Sequence, residues 1–477
     1  MWLLGQERLE RLHLLAQRLR RSSVFINLLS VSGATVVGRL ISLVVLGYPA
    51  RVLGPERFGM IGFGLSVTAY ASILLSPGLL VWGTRAVARD RRRAGEILVT
   101  VRSIQLVLAL LSYGALAAYC WFCLKSYEER GVVLLCGLAL FNAALSVDWV
   151  FNGLELMRVP AGLGVVTALL NVAGLLVFVH SPKDVYHCAL VVPAAAFINI
   201  LLGYSLLLRS VRPAWPGVQA AKAAAVASLP LGVTMALVLV LHYANNFIVR
   251  AYLGSAALGI FLAAYRLVEL AGTLPNLVST VFLPRLARMA VEDTVVAGRQ
   301  ARQFALLLIV AGAFVASMTW AEAPAIIRIL YGARYVSAVG LLRLMAVAVF
   351  FNFAIYGYTN AMISYGKDQV MIFVVAVSTV VSVGGGLLLV PRLGTTGAAL
   401  VVAGIDLSGW LVSLPCYRRT IGSLHLQAWV RPLLGAAAVV LLSWALQQAG
   451  VPLWARVPAA ALVYLGVAAP ELKSILR

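Results

Sequence analysis

The chain is a series of apolar runs of about 20 residues separated by short polar stretches, and each run is long enough to cross about 30 Å of hydrocarbon. The runs lie at 24–50, 59–82, 100–124, 131–153, 159–180, 187–208, 223–249, 256–283, 303–321, 338–363, 369–390, 395–416, 430–448 and 453–471. In lipid every backbone N–H and C=O has to be paired within its own element, so these runs predict helices. They lack the short alternating segments of a membrane barrel. The pattern predicts an all-α integral membrane protein with about fourteen transmembrane helices. Residues 1–22 read differently: Leu9, Leu12, Leu15 and Leu19 fall at helical spacing among Arg8, Arg11, Arg18, Arg20 and Arg21. That predicts an amphipathic segment on the cytoplasmic membrane surface, not a cleavable signal peptide. A short surface helix is expected within Ala323 to Val336 at the outer face.

A repeat links two distant runs. Arg51-Val-Leu-Gly54 is followed five residues on by Gly59, and Arg250-Ala-Tyr-Leu-Gly254 is followed at the same distance by Gly259. Each copy continues through an apolar run with a proline, Pro77 or Pro275, and ends on basic residues, Arg85 and Arg89 or Arg285 and Arg288. Transporters built from duplicated lobes place their site between the halves. The division expected here is an N-lobe at 23–210, a C-lobe at 211–420 and two further helices at 421–477. Six helices per half leave the copies in like orientation, related by an axis along the membrane normal.

Composition agrees with a membrane protein: 62% of residues are hydrophobic and 12% charged, with a mean hydropathy of +0.95. Soluble domains carry about 25% charged residues. The net charge of +21 would suggest nucleic acid in a soluble protein, but here the basic residues sit in short loops, where they set orientation and meet anionic lipid. Nucleic acid is not an expected partner. Arg91, Arg92, Arg93, the loop from Arg285 to Arg302, and Arg418 and Arg419 mark the cytoplasmic side and place both termini there. The five cysteines, Cys120, Cys123, Cys136, Cys188 and Cys416, form neither a disulfide framework nor a zinc site. No loop is long enough for a catalytic domain, so the chain is not read as an enzyme.

Ionisable groups inside a membrane cost about 2.5–3.5 kcal/mol each and mark function or pairing. Arg39, Arg102, Asp148, Arg266, Glu269, Arg343 and Asp406 are the candidates. Several lie on polar stripes: Ser32, Thr35, Arg39 and Ser42; Asp148, Asn152 and Glu155; His242, Asn245 and Asn246; Arg266, Glu269, Thr273 and Asn276; Asn352, Tyr356 and Thr359. Stripes from both halves imply a shared wet cavity. Arg39, Arg266, Asn245, Asn246, Tyr265, Asn352 and Tyr356 are its expected substrate-binding residues, because a guanidinium fork suits phosphate or carboxylate. Against this, Arg266 and Glu269 stand one turn apart and can neutralise each other. Asp148, Glu269 and Asp406 are open to two readings, coupling a proton or sodium ion and pairing with arginines. Arg102, near the cytoplasmic end of its helix, is expected to snorkel, and Arg343, near the outer end, is read the same way.

Four segments carry a family resemblance. Pro49 to Gly59 resembles the LGPExxG signature of polysaccharide-lipid flippases, and Asp148 to Glu155 resembles their WxFxGxE segment. Gly254 to Arg266 resembles LGxxxxGxYxxAxR, with Phe261 in place of the usual tyrosine, and Ile326 to Tyr335 resembles LYGxxY. The chain thus looks like a Wzx-type O-antigen or exopolysaccharide flippase of the multidrug/oligosaccharidyl-lipid/polysaccharide export (MOP) superfamily. The resemblance implies two six-helix lobes around a cationic cavity in the bacterial inner membrane. It implies transfer of undecaprenyl-diphosphate-linked oligosaccharide to the periplasmic leaflet. A polysaccharide polymerase and a chain-length regulator are then expected partners, and no bound cofactor. One departure stands out: many relatives carry an acid where this chain has Asn245-Asn246. A drug or ion antiporter of the same superfamily and a membrane polymerase or ligase are the competing readings.

Overall fold

A computed structural model describes residues 47–75, 78–215, 217–292, 294–367, 369–422 and 427–476. The surface segment at 1–22, most of the first crossing with Arg39, and Pro77 lie outside the described residues. Helices supply all the regular structure among the described residues. In chain order they are α1 (47–71), α2 (Gly78–Arg89), α3 (Ala94–Cys123), α4 (Tyr127–Gly137), α5 (Ala139–Leu145), α6 (Asp148–Gly153), α7 (Arg158–Phe178) and α8 (Val185–Leu207). The second half follows with α9 (Val218–Ala271), α10 (Leu274–Glu292), α11 (Thr294–Ala321), α12 (Ala323–Tyr331), α13 (Ala338–Ser364), α14 (Gln369–Thr420), α15 (Gln427–Gln448) and α16 (Leu453–Leu476).

Among the described residues eleven stretches are long and apolar enough to cross a membrane. Two are far too long for one crossing: the 52 residues of α14 would reach about 78 Å at 1.5 Å per residue. Each turns back at a glycine with positive φ, Gly254 at 87° in α9 and Gly394 at 63° in α14. A side chain would be strained there, and glycine is not. Hydrogen bonds across each hairpin bear this out: Tyr265 Oη donates to the His242 carbonyl at 3.5 Å, and Ser378 Oγ to the Ile405 carbonyl at 3.2 Å. The eleven stretches therefore hold thirteen crossings. Gly54, with φ 78°, makes the same turn inside α1, so both copies of the repeated Leu-Gly sit at the same bend.

Two crossings differ from the expected continuous helices. The one expected at 59–82 passes from α1 into a 3-10 turn at Ser72–Leu75 before α2. The one expected at 131–153 is broken twice, into α4, α5 and α6. The two broken crossings fit together: Thr84 Oγ1 donates to the Trp149 carbonyl at 3.2 Å. The surface helix expected within 323–336 is present as α12 and a 3-10 turn at Ala333–Tyr335.

The bundle has two ends, here called the Gly54 end and the Arg91 end. In the second half α9, α10, α11, α13 and α14 pack together, and α15 and α16 lie against α11. Tyr464 Oη donates to the Val310 carbonyl at 2.6 Å in that contact. Trp121, Phe122 and Tyr127 stand exposed at the Gly54 end, the position of an interfacial aromatic belt.

Candidate functional site

The polar stripe on α9 and the start of α10 is built by Arg266, Glu269, Thr273 and Asn276 at steps of three and four, which keep one helix face. It meets Asn352 and Tyr356 from α13 and Ser378 and Asp406 from the two arms of α14. Together they line a half-open cavity of about 690 Å³, within the usual range for ligand sites of about 300–1,000 Å³. His242 and Tyr265 complete its polar edge.

The charges are partly paired. Arg266 Nη1 stands 3.0 Å from Glu269 Oε2, the one-turn pair anticipated from spacing. Asp406 Oδ1 accepts from Asn352 Nδ2 at 3.3 Å, and among the described residues no lysine or arginine makes an ion pair with it. The lining holds one guanidinium against two carboxylates. The described lining carries no net positive charge, and it runs from Val238 to Asp406, all within the second half. The expected cationic component, Arg39, lies outside the described residues.

Three expected site residues stand elsewhere. Asn245 and Asn246 are buried and do not line the cavity. Asn245 Nδ2 donates to the Ala398 carbonyl at 3.1 Å, and Asn246 Nδ2 to Ser66 Oγ at 2.9 Å. At three and four residues beyond His242 they share its stripe only broadly, and backbone and hydroxyl partners claim them. Asp148 opens α6 at the helix break, away from the cavity. Arg102 does not snorkel. It is 7% exposed, Nη1 donates to the Ala144 carbonyl at the end of α5, and its guanidinium lies 5.9 Å from the Tyr204 ring. A cation fits there because the carbonyl end of a helix is negative. Arg343 does stay near its interface, over the Trp320 ring at 4.7 Å.

The main features that sequence reading missed lie at the Gly54 end, where the halves meet. A Cβ on Gly59 would strike the Ser255 carbonyl oxygen, and one on Gly259 the Pro55 carbonyl oxygen. Positions 55 and 59 correspond to 255 and 259 in the repeat, so the contact is reciprocal, as a two-fold relation requires. The repeat itself was the signal, since equivalent residues touch only near the axis that relates them. Beside it, Arg250 Nε and Nη2 reach the two carboxylate oxygens of Glu129 at 2.7 and 2.6 Å. Arg51 donates to the Leu330 carbonyl at 2.8 Å, to the Arg328 carbonyl at 3.3 Å and to the Ile329 carbonyl, capping α12. Tyr335 Oη donates to the Ala50 carbonyl at 3.0 Å. Three of the resembling segments, 49–59, 254–266 and 326–335, are thus parts of one closure.

Residues 24–290 match the sequence family described as "Polysaccharide biosynthesis protein". Two proteins each named "Putative O-antigen transporter" are similar: that of Shigella dysenteriae at 24% identity over 52% of this chain, and that of Escherichia coli at 22% over 37%. The match spans less than two thirds of each relative, 64% and 43% of their lengths. Among solved structures, the lipid II flippase MurJ in an inward closed conformation aligns over 94% of this chain and 99% of its own, with a TM-score of 0.72 at 13% identity. A multidrug resistance MATE family transporter of the MOP superfamily, inward-facing, aligns over 80% and 94% with a TM-score of 0.62 at 17% identity. These likenesses establish the fold.

Proposed function

We propose, for a chain that belongs to the polysaccharide biosynthesis protein family, that it carries an undecaprenyl-diphosphate-linked oligosaccharide from the cytoplasmic to the periplasmic leaflet of the bacterial inner membrane. The observation that carries this is a cavity of about 690 Å³ within the second half, with charged and polar side chains on its wall, in an apolar bundle whose halves are closed on each other at the Gly54 end. The glycan and diphosphate cannot cross hydrocarbon unaided, whereas the prenyl tail is at home there. A cavity among the helices gives the headgroup a wet path while the tail stays in lipid. By loop charge the Arg91 end faces the cytoplasm, so the state described is closed toward the periplasm. Rocking of the halves parts them at the Gly59–Gly259 contact and exposes the cavity to the other side. The names of the similar O-antigen transporters support the substrate class.

Of the three carboxylates expected to couple an ion, Glu269 is held by Arg266 and Asp148 lies outside the cavity lining. Asp406, which lines the cavity without an ion-pair partner among the described residues, is the one we assign to take up a proton or sodium ion. Arg39 is the residue proposed to meet the diphosphate, and a polymerase and chain-length regulator are the proposed recipients of the product. Deletion of the gene is expected to leave lipid-linked glycan in the cytoplasmic leaflet, and expression of this chain to restore surface polysaccharide. Failure of a well-expressed chain to do so rejects the proposal.

The carboxylate excess in the cavity favours one second reading, a drug or cation antiporter of the same fold. Drug resistance conferred by the chain, without rescue of surface polysaccharide, would select it.

A further inference from the structure

We infer that the cavity of the second half is a subsite for the sugar portion of the substrate, selective for neutral or amino-bearing glycans over acidic ones, and that Asp406 sets this selectivity. The inference rests on the flippase reading and deepens it.

The wall has the make-up of a carbohydrate site and not of a phosphate site. Its one guanidinium, on Arg266, is already engaged by Glu269 at 3.0 Å, so little positive charge remains for an anion. Around it stand hydroxyl, carboxamide and carboxylate groups, which exchange hydrogen bonds with sugar hydroxyls in either direction. Tyr265 and Tyr356 add aromatic bodies with polar tips, suited to a ring that is apolar on its faces and polar at its edge. Asp406 is the decisive group. Its described partner is the neutral carboxamide of Asn352 at 3.3 Å, which leaves the described wall with one negative charge in excess. A hexuronate bound here would bring a second carboxylate into a partly buried, weakly screened space, where like charges are unfavourable. A hydroxyl or an ammonium group would be welcomed. Discrimination by an unfavourable charge meeting is an ordinary route to specificity.

The test uses the full chain in nanodiscs and two probes: a polyprenyl-diphosphate-linked N-acetylhexosamine disaccharide, and the same lipid with one N-acetylhexosamine replaced by the corresponding N-acetylhexosaminuronic acid. The wild-type chain is expected to bind the neutral probe at least tenfold more tightly. Asp406→Asn should shrink that ratio below about threefold by gaining the acidic probe, with neutral binding showing that the variant is folded. Asp406→Glu should restore it. Loss of ion coupling in Asp406→Asn would slow transport of both probes alike and leave the binding ratio untouched, so the ratio isolates selectivity. Equal binding of the two probes by the wild type, or a ratio that survives Asp406→Asn, overturns this inference alone. Failure of the wild type to bind either probe overturns the flippase reading, and this inference with it.

Discussion

Arg250 and Glu129, 121 residues apart, form a two-point ion pair that joins the second half of the chain to the first, with both nitrogen–oxygen distances at 2.7 Å or less. The Glu129 side chain is 3% exposed and that of Arg250 27%. The Arg250 guanidinium also lies 5.6 Å from the Phe63 ring. Parting the halves at the Gly54 end breaks this pair, so it weights the equilibrium toward the closed arrangement.

Removing one partner of a buried pair strands the other charge, at a cost of about 3–5 kcal/mol. Glu129→Gln keeps the shape and loses the charge, so it strands Arg250 in the closed state only. The expected outcome is a shift of about 100-fold toward separation at this end, the equivalent of about 2.7 kcal/mol after partial relief by the carboxamide. Electron–electron resonance distances between labels at Arg57 and Tyr252 would read it. An unchanged distance distribution would remove the pair from gating.

The glycine crossing makes a sharper demand. At Gly59 and Gly259 a Cβ would run into backbone carbonyl oxygens, and backbone cannot yield as a side chain does. Gly259→Ala is expected to destabilise the closed arrangement by about 1–3 kcal/mol and to lower transport. Gly164→Ala, where nothing lies within 4 Å of the added carbon, is the matched control with near wild-type transport. Cysteine cross-linking between Pro55 and Ser255 positions should fall in the first variant and not in the second.

These features divide what could be read from sequence from what could not. Gly54 and Gly254 stood out as a repeat because Leu-Gly recurs before an apolar run in both copies, but that they are bends, where a sharp turn favours the residue that lacks a Cβ, came from the structure. The Arg266–Glu269 pair was visible because one turn of helix fixes its distance. The pairing of Arg250 with Glu129 was not, since both sit where an apolar run ends and read as ordinary interfacial charges. The break between α5 and α6 was hidden as well. Leu145, Ser146 and Val147 include neither glycine nor proline, and it is Arg102, from another helix, that takes up the freed Ala144 carbonyl. Depth along a helix suggested that Arg102 would reach water, but tertiary packing overruled depth. For Asn245 and Asn246, periodicity gave the approximate face and could not say that Ala398 and Ser66 wait on it.

Arg102 provides the third prediction. The residue is 7% exposed, and its guanidinium caps the second of the three pieces of a broken crossing. Arg102→Ala leaves the Ala144 carbonyl without its donor and opens space beside Tyr204. A loss of about 3 kcal/mol is expected. Arg343→Ala, which removes a half-buried contact with Trp320, should cost about 0.5–1 kcal/mol. Thermal melting of the two purified variants under one condition compares them directly. A smaller loss for Arg102→Ala than for Arg343→Ala would mean that the break is held by other means.

The last prediction concerns α15 and α16, which stand outside the repeat. They attach to α11 through Tyr464, whose hydroxyl donates to the Val310 carbonyl at 2.6 Å and whose ring lies 5.1 Å from that of Phe314. At the Gly54 end a second tie is made by Arg456, 3.1 Å from the buried Glu322 that precedes α12. Tyr464→Phe keeps the ring and should cost about 1 kcal/mol. Tyr464→Ala removes the ring as well and should cost about 3–5 kcal/mol. If the helix pair serves as a brace on α11, the second variant exposes the α15–α16 loop to protease well before the rest of the bundle melts. Cleavage that tracks global melting would show instead that the pair and the bundle unfold as one unit, with Tyr464 an ordinary core residue.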